Sequence, residues 1–218
     1  MQLIIGNKAY STWSLRPWLI LKRCGARFEE VMVPLNRADT AEAIARYAPA
    51  GKVPALIVDG VTIWDSLAIA LWCDEQFPEA GLWPADARAR AVARAAVCEM
   101  HSAFGTLRTE LGMGPQHTMT SISDTPHQPG EALKADIARM LALWMDAKAR
   151  FGAGGPWLFG TWSIADAFFT PVAARFRHFG IALSGHGDDG TAQAYCEALL
   201  SQPDYLEWER AGRAETGT

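Results

Sequence analysis

Residues 51–66 read Gly51-Lys52-Val53-Pro54-Ala55-Leu56-Ile57-Val58-Asp59-Gly60-Val61-Thr62-Ile63-Trp64-Asp65-Ser66, and this stretch decides the fold. Two short apolar β-branched runs flank Asp59-Gly60, the two-residue pattern that closes a tight hairpin because both turn positions need positive φ. Pro54 opens the first run. A proline cannot donate a ladder hydrogen bond, so here it marks either a trans proline on an edge strand or a special turn. A cis Val53–Pro54 bond would turn the Val53 N–H and C=O outward, free to pair with an extended peptide-like ligand. The second run passes straight into Asp65-Ser66 and a helix over 66–77 with an apolar face of Leu67, Ile69, Ala70, Leu71 and Cys73. Asp65 or Ser66 caps that helix. The free N–H groups and positive dipole end there also suit a carboxylate, and Asp65 suits an ammonium group.

Upstream, Leu3-Ile4-Ile5 reads as a buried strand, residues 18–22 as a helix with Pro17 in its first turn, residues 28–33 as a second strand and residues 41–47 as a short helix. The order is β-α-β-α-β-β-α. Residues 79–84 are breaker-rich and separate this α/β unit, residues 1–78, from residues 85–218, where strand signals vanish. The second unit reads as all-helical, with helices expected over 85–111, 131–151, 164–179 and 192–200. Residues 112–130, rich in Gly, Pro, Ser and Thr, read as a mobile loop between two of them.

The bulk numbers narrow the class. The chain has 218 residues, 50% hydrophobic and 20% charged, with net charge −4, a balance suited to a packed globular protein. Its basic residues are scattered, which argues against a nucleic-acid binder. No apolar run reaches the ~18 residues of a membrane span. The N-terminus lacks the flank of a signal peptide. Four widely spaced cysteines, Cys24, Cys73, Cys98 and Cys196, fit reduced thiols in a cytoplasmic protein better than a disulfide or zinc framework. The run His186-Gly187-Asp188-Asp189-Gly190 has no second ligand cluster and reads as a polar turn, so no metal is expected.

The turn Tyr10-Ser11-Thr12-Trp13-Ser14-Leu15-Arg16-Pro17 places hydroxyls at a helix N-terminus. They either cap the helix or stabilise a thiolate there. In the second unit Ser163 and Asp166 form an N-capping box, a folding device rather than a chemical one.

Taken in order, the Ser-rich turn, Val53-Pro54, Asp65-Ser66, the capping box and Pro203 to Trp208 resemble the cytosolic glutathione transferases over essentially the whole chain. The turn is similar to the serine-type classes, most of all to the zeta-like Ser-Ser-Cys-Ser-Trp-Arg. The resemblance implies a thioredoxin-like first domain, a helical second domain, glutathione as co-substrate and a C2 homodimer. It places Ser11 as the residue that activates the thiol, with Tyr10 as the competitor. It places glutathione against Ser11, Trp13, Ser14, Lys52, Val53, Pro54, Asp65 and Ser66. Trp13 stands where the zeta-like pattern has cysteine, which implies hydroxyl rather than cysteine chemistry.

An electrophile pocket is expected between the domains, with Phe104, Leu107 and Arg175 as candidates beside Met100, Leu111 and the 112–130 loop. The spacing of the apolar four is more often that of core or dimer packing, and the bland alternative for Arg175, Arg177 and His178 is a solvated face. The implied activity is attack of the thiolate on an electrophilic small molecule. The alternatives are cis-trans isomerisation of maleylacetoacetate-like diacids and a non-catalytic glutathione-binding or interaction protein.

Overall fold

The computed structural model describes residues 1–153 and 155–217; Gly154 and Thr218, both inside the expected helical stretch 85–218, lie outside the described residues. Four strands, β1 (Gln2–Ile5), β2 (Glu29–Met32), β3 (Ala55–Val58) and β4 (Val61–Ile63), form one sheet in the order β2-β1-β3-β4. β1 runs parallel to β2, with Ile4 opposite Val31, and antiparallel to β3, with Ile4 opposite Ala55. The β3–β4 hairpin turns through Asp59 and Gly60, both at positive φ (48° and 80°), as its sequence requires.

Side-chain alternation along β1 sorts the core into two layers. Leu3 and Ile5 point into the large apolar cluster shared with α1 (Thr12–Arg23) and α3 (Ser66–Gln76), while Ile4 points to the opposite face. There it packs with Val33, Ala48 and Ile44 of α2 (Thr40–Ala45). α1 starts at Thr12, six residues earlier than the sequence suggests, because the Ser-rich turn itself winds into the helix.

Among the described residues six α-helices follow: α4 (Ala87–Ser102), α5 (Gly105–Glu110), α6 (Glu131–Phe151), α7 (Ile164–His178), α8 (Thr191–Ser201) and α9 (Pro203–Thr216). The α/β-then-helical order is the one expected. The stretch 85–111 is not one helix. Phe104 adopts a left-handed backbone (φ 58°) and breaks it, and the Leu107 N–H at the new helix start donates to Asp136 of α6 at 2.9 Å. Residues 112–130 carry no helix, but they are tied down. Met119 donates to Ala9 O at 2.7 Å, Ser123 to His178 O at 2.8 Å and His127 to Phe179 O at 2.8 Å.

α7 is the axis of the helical half and is buried almost end to end, against α1, α4 and α8. Its capping box is formed: the Ser163 N–H donates to the Asp166 carboxylate at 2.7 Å and the Ser163 hydroxyl to the same oxygen at 3.1 Å. Tyr195 of α8 donates to the other oxygen at 2.8 Å. Trp144, Phe169 and Tyr195 meet edge to face around it.

Candidate functional site

The turn between β1 and α1 is cramped by construction. A Cβ on Gly6 would lie 2.4 Å from Leu35 Cδ1 and 3.0 Å from Ser11 Oγ, so only glycine lets the strand pass this close to the hydroxyl. Ser11 is the N-cap residue of α1, yet its side chain caps nothing. Its Oγ sits 2.8 Å from Ser14 Oγ, and Ser14 Oγ accepts the Gly6 N–H at 3.1 Å. When the Ser14 hydroxyl is the donor of the hydrogen bond to Ser11 Oγ, the Ser11 proton is left to point at a ligand. Tyr10 is differently placed, since its hydroxyl donates to Asn7 Oδ1 at 2.9 Å and lies 3.3 Å from Leu35 O.

Beside this turn runs a groove of about 570 Å³ lined by Trp13, Lys52, Val53, Pro54, Trp64 and Asp65. Val53–Pro54 is cis. Among the described residues neither Val53 backbone group has a hydrogen-bond partner. Asp65 caps α3, its Oδ1 accepting from Leu67 N at 2.9 Å, while its Oδ2 lies 3.0 Å from His101 Nε2. The Ser66 hydroxyl is buried, with no hydrogen-bond partner among the described residues.

A second cavity of about 470 Å³ shares Trp13, Leu35 and Val53 with the groove and opens on Ser11. Arg108 and Arg175 line it. Arg175 is buried rather than solvated, and donates to Leu111 O and to Thr12 Oγ1, each at 3.0 Å. Behind Trp13 lies Arg16, also buried, its guanidinium 4.1 Å from the Trp13 ring and 4.7 Å from Phe168. Among the described residues Arg16 Nε and Nη1 have no hydrogen-bond partner. Burial, then repulsion from Arg175 and Arg108, pulls its pKa down to about 9. Burial and Arg108 pull Arg175 to about 10. Three mutually repelling guanidinium groups thus surround the start of α1, opposed at a distance by Asp65 and Asp136, and hold a positive potential next to Ser11.

The structure brings Ser11, Trp13, Lys52, Val53, Pro54, Asp65 and Arg175 to the walls of these two cavities, with Ser14 and Ser66 just behind them. Phe104 and Leu107 do not line them; both are buried in the central apolar cluster, as are Met100 and Leu111. From the candidate loop 112–130, Gly112 and Met113 line the second cavity. Sequence reasoning missed three residues. His101 and Arg108 look like ordinary helix residues, since nothing local says that α4 and α5 face the sheet. Arg16 belongs to the quoted turn, but nothing local says that Phe168 of α7 will cover it. No group of three or more His, Cys, Asp or Glu side chains suited to a metal ion occurs among the described residues.

Residues 10–76 match the family model for the glutathione S-transferase N-terminal domain. Over 90 residues the chain is 36% identical to glutathione S-transferase Z2 of Arabidopsis thaliana, covering 39% of this chain and 40% of that protein. It is 37% identical over 84 residues to a probable maleylacetoacetate isomerase of Caenorhabditis elegans, 38% of either chain. The matched segment thus spans about 40% of the length of these curated relatives. The whole fold is similar to that of a Burkholderia glutathione transferase homolog solved with bound glutathione. That match has a TM-score of 0.70 and 25% identity, and covers 98% of this chain and 97% of that one. The N-terminal segment is thus similar in sequence to glutathione S-transferases, and the full-length fold is similar to that of a glutathione transferase homolog.

Proposed function

We propose that the protein is a glutathione transferase built as an α/β domain (1–78), a linker (79–84) and a helical domain (85–218). One observation carries this reading: the paired hydroxyls of Ser11 and Ser14, at the N-terminus of α1, stand beside a groove whose wall offers an unpaired Val53 backbone. The cysteinyl peptide unit of glutathione would pair with Val53 as an added strand does. Its γ-glutamyl carboxylate would meet the unpartnered Ser66 hydroxyl and the first turn of α3, and its ammonium group Asp65. Lys52 would face the glycine carboxylate, and Trp13 would close the groove toward the second cavity. The sulfur would then lie at Ser11, in the positive potential of Arg16, Arg108 and Arg175, which favours thiolate over thiol. Tyr10 is the weaker candidate for activation, because its only proton is directed to Asn7. Catalysis would consist of thiol activation and proximity to an electrophile in the second cavity.

Calorimetry with glutathione, followed by a panel of aryl halides, epoxides and unsaturated acids, tests the proposal. Binding with turnover of at least one class is the expected result. Binding without turnover would leave a non-catalytic glutathione-binding protein, and absence of binding would remove the reading altogether. A second reading, isomerisation of a diacid by reversible thiolate addition, is favoured by the two arginines on the cavity wall, which suit carboxylates. Preference for unsaturated diacids over aryl halides in the panel would select it.

His101 contributes to glutathione affinity by holding Asp65. His101→Ala is expected to weaken glutathione binding by about 2- to 10-fold, the worth of one partly exposed polar contact. An unchanged dissociation constant would contradict this role. Val61, Trp64 and Leu71 leave exposed apolar surface on β4 and at and along α3, which supports a homodimer. Light scattering should report about twice the 23.8 kDa chain mass. Among the described residues no helix is long and apolar enough to cross a membrane. Its free cysteines suit the cytoplasm.

A further inference from the structure

The turn that carries Ser11 is held from outside by residues that neither cavity contains. The Ala9 carbonyl accepts the Met119 N–H at 2.7 Å, and the Ala9 N–H donates to Glu215 of α9 at 3.2 Å. Met119 is fully buried, and its own carbonyl accepts Arg177 Nη2 at 2.6 Å and lies 3.3 Å from the Tyr205 hydroxyl. The segment around Met119 is folded on itself, Thr118 Oγ1 lying 2.9 Å from both Thr120 Oγ1 and Ser121 Oγ.

At its two ends this segment is clasped by a pair of imidazoles. His178, at the end of α7, is buried, and its Nδ1 lies 2.9 Å from the Ser121 carbonyl oxygen. A carbonyl can only accept, so Nδ1 carries the proton and Nε2 of the neutral ring is an acceptor. His117 Nδ1 lies 3.1 Å from that Nε2 and therefore donates to it. Phe179 packs against both rings, with centroids 5.0 Å and 4.6 Å away.

We propose that His117 and His178 are positioning residues for the Ser11 site, clasping residues 118–121 so that Met119 holds the Ala9–Ser11 turn in place. The proposal rests on reading Ser11 as the reactive site. The clasp needs the neutral His178 ring, because a proton on its Nε2 would set N–H against the N–H of His117 Nδ1. Burial holds the His178 pKa below the ordinary imidazole value, with the Ser121 carbonyl opposing and the charges of His117 and Arg177 adding to the depression. An imidazole depressed in the folded state binds fewer protons than in the unfolded chain. The clasp is therefore intact above pH about 6.5 and weakens as pH falls. The other charged groups nearby are paired among themselves. Glu209 binds Arg177 and lies 3.7 Å from Arg213, and His127, against Phe179, lies 3.4 Å from Glu110.

Hydrogen exchange read by mass spectrometry, corrected for the intrinsic pH dependence, tests this on the full chain at pH 7.5 and 5.5. In the wild type, peptides covering 116–122 and 8–13 should both lose about tenfold in protection at the lower pH. His178→Gln should show that loss already at pH 7.5 and little further change on acidification. His117→Gln alters an exposed ring, so it leaves the core intact should the first variant fold poorly, and it should give the same pattern at smaller amplitude. In kinetics His178→Gln should lower kcat by about threefold while leaving the KM for glutathione near its wild-type value. Loosening of 116–122 without any change in 8–13 would overturn the proposal, as would protection in both peptides that ignores pH. The exchange measurement uses no substrate. A protein that binds no glutathione would thus sink the proposed function while the fate of the clasp is still decided.

Discussion

Ser11→Ala should reduce kcat/KM for glutathione-dependent turnover by about 10- to 100-fold. The estimate follows from the hydrogen bond removed. A bond to a charged acceptor is worth about 1.5–3 kcal/mol, and each 1.4 kcal/mol is a factor of ten. The loss should appear mainly in kcat, because in the proposed pose the peptide unit and the γ-glutamyl end of glutathione would be held elsewhere, at Val53, Asp65 and Ser66. Titrating the thiolate absorbance of bound glutathione gives an independent reading: the thiol pKa should rise by one to two units in the variant. Ser14→Ala should move both quantities in the same direction by less, because it removes only the link that ties Ser11 to the Gly6 N–H. Should Ser11→Ala keep wild-type turnover while Tyr10→Phe loses it, the activating hydroxyl is that of Tyr10, and the role given to Ser11 is wrong.

The largest effect on stability should come from Asp166→Ala. This carboxylate is fully buried and accepts the Ser163 N–H, the Ser163 hydroxyl and the Tyr195 hydroxyl. Truncation leaves three buried donors without an acceptor at the start of the central helix, for an expected loss of about 3–5 kcal/mol. Guanidinium denaturation measures it, and a loss below about 1 kcal/mol would contradict the account. The same carboxylate has a pH signature. Burial pushes its pKa from 3.8 up to about 6, against the hydrogen bonds from Tyr195 and Ser163. The folded chain therefore binds a proton between pH 4 and 6 that the unfolded chain has released. Stability from this group is fully present below pH about 4 and is lost as pH rises toward 6, by about 2–3 kcal/mol. Asp166→Asn, neutral at every pH, should abolish that component of the slope.

Several features of the site were readable because local chemistry forces them. Asp59-Gly60 admits few conformations besides a tight hairpin, and Pro54 at a strand entrance leaves Val53 outside the ladder. Asp65-Ser66 caps a helix wherever a strand runs directly into one. The break at Phe104 was not readable. Residues 85–111 favour helix throughout, and it is the tertiary bond from Leu107 to Asp136 that accompanies the interruption. Phe104 and Leu107 were placed in a pocket on the resemblance, while their periodicity tells which face is apolar but not whether that face meets a cavity or a neighbouring helix.

The sequence by itself determined the order of elements, the hairpin, the helix caps and the run of hydroxyls at the start of α1, all set by dihedral preferences and bonds between near neighbours. The tertiary structure alone decided which hydroxyl faces the groove, since Gly6, Ser14 and Asn7 settle the separate fates of Ser11 and Tyr10. It alone assembled Arg16, Arg108 and Arg175, which lie on α1, α5 and α7, into one positive wall. It alone joined His117 and His178 across 61 positions. Charge and hydrogen bonding act through a few ångströms of space, and no pattern along a chain records which distant residues the packing of helices will bring within that range.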